Sequence, residues 1–138
     1  MITLLTGRKG SGKTKKLIDL AHDAADKSKG SVVAIEKGDT LTHAIAHSVR
    51  LINIAGYGIR DFTAFYGFIA GLLSGNYDIT DVLIDSTLKI GGDSLELFAR
   101  FIAKVSTLAE KNNVNFTFSV SANADEIPAG INDLVVKL

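Results

Sequence analysis

The sequence contains no cysteine and only one proline among its 138 residues. Without cysteine the chain has neither a disulfide framework nor a thiolate zinc site, and this composition fits a reducing cytoplasm. An excess of charge is also missing, because fifteen lysine and arginine residues balance fifteen aspartate and glutamate residues. The chain therefore lacks the overall positive field that proteins bound to nucleic acids or anionic membranes usually carry.

Long apolar runs are absent as well. The longest one, Phe62–Leu73, is interrupted by Thr63 and Tyr66 and is shorter than the roughly 20 residues that a membrane-spanning helix needs. The N-terminus has the pattern of a strand and a loop instead of a signal peptide. No repeat or proline-rich linker divides the chain, so we expect a cytoplasmic protein with one domain over residues 1–138 and with no membrane or nucleic-acid partner.

One strong motif is present near the N-terminus, at residues 7–14. It reads Gly7-Arg8-Lys9-Gly10-Ser11-Gly12-Lys13-Thr14, which matches the phosphate-binding loop G-x-x-x-x-G-K-[ST] at every fixed position. A short apolar strand pattern, Ile2-Thr3-Leu4-Leu5, comes before it. Apolar residues at helical spacing follow it: Leu17, Leu20, Ala21 and Ala24. The motif therefore has the strand-to-helix context that its chemistry requires.

The residue types in this loop suit a nucleoside triphosphate. Glycines let the backbone wrap around phosphates and turn its N–H groups inward, and the helix that begins near Lys13 adds the positive end of its dipole. Lys13 is placed to reach the β and γ phosphates, and the Thr14 hydroxyl is placed to ligate Mg²⁺. We predict that all eight residues bind ATP or GTP with Mg²⁺. The absence of an N-K-x-D segment, which reads guanine, favours ATP.

The rest of the chain alternates strand and helix patterns. Strands are predicted at residues 31–35, 49–54, 82–84, 115–120 and 134–136. Helices are predicted from Lys13, from Asp39 to His47, from Arg60 to Gly75, and from Asp93. This order predicts an α/β fold, a three-layer sandwich with a mainly parallel sheet of five to six strands. Ligands of such sheets bind beyond the carboxyl ends of the strands, where residues 36–39, 53–55, 85–87 and 119–123 are expected.

A second motif ends one of these predicted strands. The segment Asp81-Val82-Leu83-Ile84-Asp85 is apolar and finishes in a carboxylate, which resembles the Walker B pattern, in which the last aspartate holds Mg²⁺ and its waters. The two motifs together resemble the P-loop NTPase superfamily. The resemblance implies catalytic roles for Lys13 and Asp85, and a metal site formed by Thr14 and Asp85.

The order of strands narrows the resemblance. Two strands separate the motifs and a polar-ended strand, residues 116–121, follows them, which is similar to the RecA-like branch with an added central strand. This implies that Ser119, Ser121 or Asn123 lies near the γ-phosphate. The whole chain also resembles short bacterial single-domain P-loop proteins labelled twitching motility protein PilT. The further domain and motifs of pilus-retraction ATPases are not recognisable, so we do not transfer that activity.

The chain departs from the RecA-like pattern directly after Asp85. A glutamate that polarises the attacking water is usual there, whereas this chain has Ser86 and Thr87, whose hydroxyls are poor bases near neutral pH. Glu36 follows the second strand at the same edge of the sheet, where deoxynucleoside kinases carry a base, and it can alternatively be a surface carboxylate beside Lys37. The sequence therefore supports binding more strongly than hydrolysis.

Three functions stay open on this basis. The first is a Mg²⁺-dependent NTPase that is weak or stimulated by a protein partner or a second copy, with an arginine finger from Arg50, Arg60 or Arg100. The second is a small-molecule or nucleoside kinase with Glu36 as base. The third is a non-catalytic interaction module that a nucleotide regulates, with the apolar helix at Phe62–Leu73 as its surface. His43 and His47 lie four residues apart, but no convincing third ligand accompanies them and Asp39.

Overall fold

The computed structural model describes all 138 residues and contains six strands, four α-helices and two 3₁₀ helices. The strands are β1 (Ile2–Thr6), β2 (Ser31–Glu36), β3 (Arg50–Asn53), β4 (Ile79–Ile84), β5 (Asn115–Val120) and β6 (Val135–Lys137). The α-helices are α1 (Lys13–Lys27), α2 (Phe62–Gly75), α3 (Thr87–Gly91) and α4 (Leu95–Asn112). The 3₁₀ helices, Ala124–Glu126 and Asn132–Leu134, lie between β5 and β6.

All six strands form one sheet in the order β3-β2-β4-β5-β1-β6, and every neighbouring pair is parallel. Strand β5 therefore lies between β1, which leads into the glycine-rich motif, and β4, which ends before Asp85. Because the strands are parallel, their carboxyl ends meet at one edge of the sheet. The predicted α/β sandwich is confirmed, and its sheet is parallel throughout.

Each face of the sheet carries a hydrophobic core. On β2, Val33 and Ile35 belong to the larger core, which α2, α3 and α4 cover, whereas Val32 and Ala34 belong to the smaller core under α1. Phe101 of α4 ties the larger core together, since its ring centroid lies 5.0 Å from that of Phe62 and 5.4 Å from that of Phe65. Burial on both faces explains why the strands have nearly continuous apolar sequences.

Side-chain caps fix the beginnings of two helices. The Asp61 carboxylate accepts a hydrogen bond from the Ala64 N–H at 2.7 Å at the start of α2, which begins at Phe62, two residues after the predicted start at Arg60. Helix α4 begins at Leu95 behind Ser94, whose hydroxyl accepts from the Leu97 N–H at 3.2 Å. The prediction that α4 opens at Asp93 was therefore early. None of the four helices is both long and apolar enough to cross a lipid bilayer.

The predicted helix from Asp39 to His47 is wrong, because this segment forms bends and turns. Two side chains accept hydrogen bonds from main-chain N–H groups of this segment. The Glu36 carboxylate accepts from Leu41, and His22 Nε2 of α1 accepts from Ala46 at 3.1 Å. Such side-chain bonds compete with helical hydrogen bonds. The segment between β2 and β3 is consequently tied to the sheet edge and to α1.

Candidate functional site

Four polar side chains occupy one row at the carboxyl edge of the sheet, and we call them the polar row: Asn53, Glu36, Asp85 and Ser119. Glu36 is paired with Asn53 across β2 and β3. The register of Ile35 with Ile84, and of Ile84 with Phe118, makes the next residue on each strand a neighbour as well. Side chains alternate along a strand, so the polar row faces the α1 side of the sheet. It therefore places two carboxylates, both 3% exposed, side by side on neighbouring strands.

The glycine loop, residues 7–14, connects β1 to α1 above this row. Gly12 has a φ of 91°, a conformation that L side chains rarely adopt. A Cβ at Gly7 would lie 2.4 Å from Ser11 Oγ, so the loop also needs a glycine for space at this position. The Gly7 N–H donates to the Ala122 carbonyl at 3.0 Å, which joins the loop to the segment after β5. Two of the motif's glycines are thus explained by the local geometry.

The Lys13 ammonium turns back onto the glycine loop. Its Nζ donates to the carbonyl oxygens of Gly7 at 2.8 Å and Arg8 at 2.9 Å, and it lies 3.4 Å from Ser11 Oγ. The side chain is only 7% exposed. Burial lowers the pKa of Lys13, and the nearby negative charge of Asp85 opposes that decrease. An anionic phosphate is a stronger acceptor than these neutral carbonyls, so it can compete for the ammonium.

Thr14 and Asp85, the predicted metal ligands, are brought together. The Thr14 hydroxyl lies 3.3 and 3.2 Å from the two carboxylate oxygens of Asp85. On the other side, Ser119 Oγ donates to Asp85 Oδ1 at 2.7 Å and accepts from the Ser86 N–H at 2.7 Å. A hydroxyl and a carboxylate are hard oxygen donors, and Mg²⁺ in phosphate sites takes one or two such ligands besides water and phosphate. These residues therefore fit Mg²⁺.

Glu36, the predicted base, lies next to Asp85 but is bound to main chain. Both of its carboxylate oxygens are 3.1 Å from the Leu41 N–H. Burial raises the pKa of Glu36, while the bond from the Leu41 N–H opposes the increase and the charge of Asp85 adds to it. The carboxylate thus holds the turn at residues 37–41 against the sheet edge.

A cavity of about 660 Å³ opens between the glycine loop and α3. Its lining contains four lysines, no acidic residue and one apolar side chain, Leu88. Ser119 and Ser121 of the predicted phosphate-sensing group also line it, and Glu36 does not. The lysines are Lys9, Lys13, Lys15 and Lys89. A concave site with one sign of charge concentrates ligands of the opposite sign, so the cavity suits an anion.

Asn123, the third member of that predicted group, lies elsewhere. Its Oδ1 accepts from Arg8 Nε at 3.2 Å, and both residues line a separate cavity of about 520 Å³ with Asp125 and Lys137. The glycine loop therefore borders two cavities. Ser119 and Ser121 belong to the first and Asn123 to the second.

Sequence reasoning missed one residue of the site, Lys89, and the unusual backbone of another, Ser86. Lys89 lies on α3, a helix of five residues that is too short to show a helical period, and it was not predicted. Ser86 has a left-handed backbone, with φ 52° and ψ 56°, which is uncommon for a residue other than glycine. The only available signal for both was their place directly after Asp85 at a strand end.

The remaining candidates do not join this site. The three arginines proposed as fingers do not line the cavity of their own chain, and Arg100 pairs with Glu96 at 3.0 Å; their proposed action from a second copy stays a prediction. No group of three or more histidine, aspartate or glutamate side chains is arranged to hold a metal ion, and this includes Asp39, His43 and His47. The candidate site therefore consists of the glycine loop, the polar row and α3.

Comparisons of the sequence with protein-family models and with curated proteins find no significant match.

Proposed function

We propose that the chain binds a nucleoside triphosphate with Mg²⁺, with ATP favoured over GTP, in the cavity between the glycine loop and α3. The observation that supports the proposal is that Lys13 and Thr14 line one cavity with three further lysines and no acidic side chain, while Asp85 lies directly behind this lining, bonded to Thr14 and Ser119. The glycine loop leads into the N-terminus of α1, which attracts phosphate through its free N–H groups and its dipole.

The strand order supports membership in the P-loop NTPase superfamily, which the sequence resembles. Strand β5 lies between β1 and β4, as the added central strand of the RecA-like branch does. This arrangement puts Ser119 of β5 between the loop strand and the Asp85 strand. Its hydroxyl donates to Asp85, and Ser119 lines the cavity in which the γ-phosphate would lie.

Thr14 and Asp85 are the residues that would hold Mg²⁺. The bound ion would neutralise charge on the β and γ phosphates. Asp85 is fixed in place by two hydroxyl groups, Thr14 Oγ1 and Ser119 Oγ, before any ligand arrives. Little rearrangement is then needed on binding, which favours affinity.

Hydrolysis in this proposal is slow or depends on a partner. Glu36 is the best candidate for the general base, because it neighbours Asp85 and because a raised pKa brings a carboxyl closer to the range in which proton transfer is effective. Its oxygens are occupied by the Leu41 N–H, so residues 37–41 must move before Glu36 can reach a water molecule. Because of this requirement, we expect ATP hydrolysis by the chain to be slow.

A second candidate function is a nucleotide-regulated interaction module without turnover. A groove of about 650 Å³ lies between β3 and α2 and is lined mainly by apolar side chains, including Ile52, Tyr57, Phe68 and Leu72. It gives the apolar helix α2 a partly open surface that a partner can contact. The kinase alternative has less support, because it needs an acceptor pocket beside Glu36, and the turn at residues 37–41 is bonded to that carboxylate.

Calorimetric titration of the purified chain with MgATP and MgGTP tests the proposal. Replacing Lys13 with alanine should weaken binding by about 100-fold, since a charged group in a hydrogen bond contributes about 1.5–3 kcal/mol. Lys16→Ala is the matched control, because Lys16 is an exposed lysine of α1 outside the cavity lining. Equal affinities for the wild type and Lys13→Ala, with both chains folded by circular dichroism, would contradict the site.

A further inference from the structure

Lys89 differs from the other cations of the 660 Å³ cavity. Lys9, Lys13 and Lys15 come from the glycine loop and the first turn of α1, whereas Lys89 comes from α3 on the other wall. The only ion pair in the structure joins Arg100 to Glu96, so the Lys89 ammonium has no carboxylate partner. It is an exposed cation at the cavity that is not neutralised within the chain.

The position of α3 is fixed at both of its ends. At its start, the Ser86 N–H donates to Ser119 Oγ, which donates to Asp85, and the Lys89 N–H donates to the Ser86 carbonyl at 3.0 Å. At its end, Gly91 packs against Phe62 so closely that a Cβ there would lie 2.2 Å from the ring. Helix α3 therefore presents Lys89 from a backbone with little freedom to shift relative to Asp85.

The position of Lys89 on α3 indicates which phosphate of a bound triphosphate it would contact. The wall formed by Ser86, Leu88 and Lys89 continues directly from Asp85. Asp85 belongs to the pair that would hold the metal ion, and such an ion bridges the β and γ phosphates. The phosphate nearest to α3 is then the terminal one, which a diphosphate lacks.

Resting on the proposed function, we infer that Lys89 binds the γ-phosphate from within the same chain and makes the site select triphosphates over diphosphates. The side chain supplies from α3 the positive charge that an arginine finger supplies in related phosphate chemistry. None of Arg50, Arg60 and Arg100 lines the cavity, so Lys89 is the cation available opposite the glycine loop. An arginine from a second copy is then not needed to recognise the terminal phosphate.

The test compares affinities for a non-hydrolysable ATP analogue and for ADP, both with Mg²⁺, by calorimetry. Lys89→Ala should weaken binding of the analogue by about tenfold, as expected for loss of one charge-assisted hydrogen bond, and leave ADP affinity within about twofold. Lys89→Arg should keep most of the preference, because arginine retains the charge. Lys16→Ala is again the control and should change neither affinity.

The outcomes separate this inference from the proposed function. If the wild type binds both nucleotides and Lys89→Ala weakens them equally or not at all, the assignment of Lys89 to the γ-phosphate is wrong while nucleotide binding stands. If the wild type binds neither nucleotide, both proposals fail. Lys89 is exposed, so its variants should keep the fold, and circular dichroism and thermal unfolding verify this in every sample.

Discussion

Asp85, directly after β4, lies beside Glu36, the last residue of β2, and both are almost fully buried, yet their surroundings differ. Asp85 is held by the hydroxyl groups of Thr14 and Ser119 at a cavity with four lysines. Glu36 is held by a main-chain N–H of the turn that follows its own strand. The Asp85 end of the polar row is therefore held by side chains that line the cavity, whereas the Glu36 end is covered by the turn that follows its own strand. Binding is organised in advance, and the step that would need a base is not.

The largest expected effect that separates the roles of Asp85 and Glu36 is on the rate of ATP hydrolysis. Glu36→Gln should reduce ATP hydrolysis by about 100-fold, because a general base typically contributes that much in the state that reacts, which here requires residues 37–41 to have moved. MgATP affinity should stay within about twofold of the wild type, since Asp85 and the glycine loop are unchanged. Phosphate release and calorimetry on the same samples measure the two quantities. Equal hydrolysis rates in the variant and the wild type would remove Glu36 from the reaction, and a lost affinity would mean that the two carboxylates do not have separate roles.

A smaller effect is expected at the hydroxyl that holds Asp85. Ser119→Ala leaves the Ser86 N–H without its partner and removes one hydrogen bond from Asp85, so the free energy of unfolding should fall by about 2 kcal/mol. Thr117→Ala, two residues earlier on the same strand, removes a hydroxyl that makes no such bond and should cost less. Urea denaturation of both variants gives the comparison. If both variants lose the same free energy of unfolding, the hydrogen bonds of Ser119 to Asp85 and Ser86 do not contribute measurably to stability.

The smallest effect is the pH dependence of stability that Glu36 introduces. Its raised pKa means that the folded chain binds this proton more tightly than the unfolded chain. The contribution of Glu36 to the free energy of unfolding is therefore most favourable below its usual pKa of 4.5, and it is lost as the pH rises from there through the raised value.

Glu36→Gln cannot titrate, so it reveals this contribution. Its free energy of unfolding, measured relative to the wild type, should increase between pH 4 and pH 7. The exposed Glu110, replaced by glutamine in the same way, is the control for the loss of one negative charge from the chain. If the free energy of unfolding of Glu36→Gln relative to the wild type instead decreases as the pH rises, the pKa of Glu36 is lowered in the folded chain. That result would contradict the argument that burial raises it.

The parts of this site that could be predicted from sequence are those that local patterns determine. The glycine loop and Asp85 each follow an apolar strand directly, so their place at the carboxyl edge follows from short-range sequence. Their approach to hydrogen-bond distance then depends on the parallel sheet, which the alternation of strands and helices also predicts. The α/β class and the buried face of α2 were accessible for the same reason.

The rest depends on contacts between distant residues. Glu36 and Asp85 are neighbours because β2 lies beside β4, with β3 at the sheet edge. This order of strands cannot be predicted from the order of the elements along the chain. The segment from Asp39 to His47 has a helical pattern, but Glu36 and His22 take its N–H groups. Helix α3 has too few residues for a period, and its packing against Phe62 keeps it in place. Lys89 could not be assigned to the cavity without that packing.

The central claim, that a triphosphate and Mg²⁺ bind between the glycine loop and α3, is tested most directly by a crystal structure with Mg²⁺ and a non-hydrolysable ATP analogue. The account predicts phosphates within the amides of residues 7–14, with Lys13 on the β and γ groups, Thr14 and Asp85 at the metal ion, and Glu36 still bound to Leu41. A nucleotide seated in the separate cavity beside Arg8 and Asn123, or a glycine loop whose amides face away from the phosphates, would contradict it.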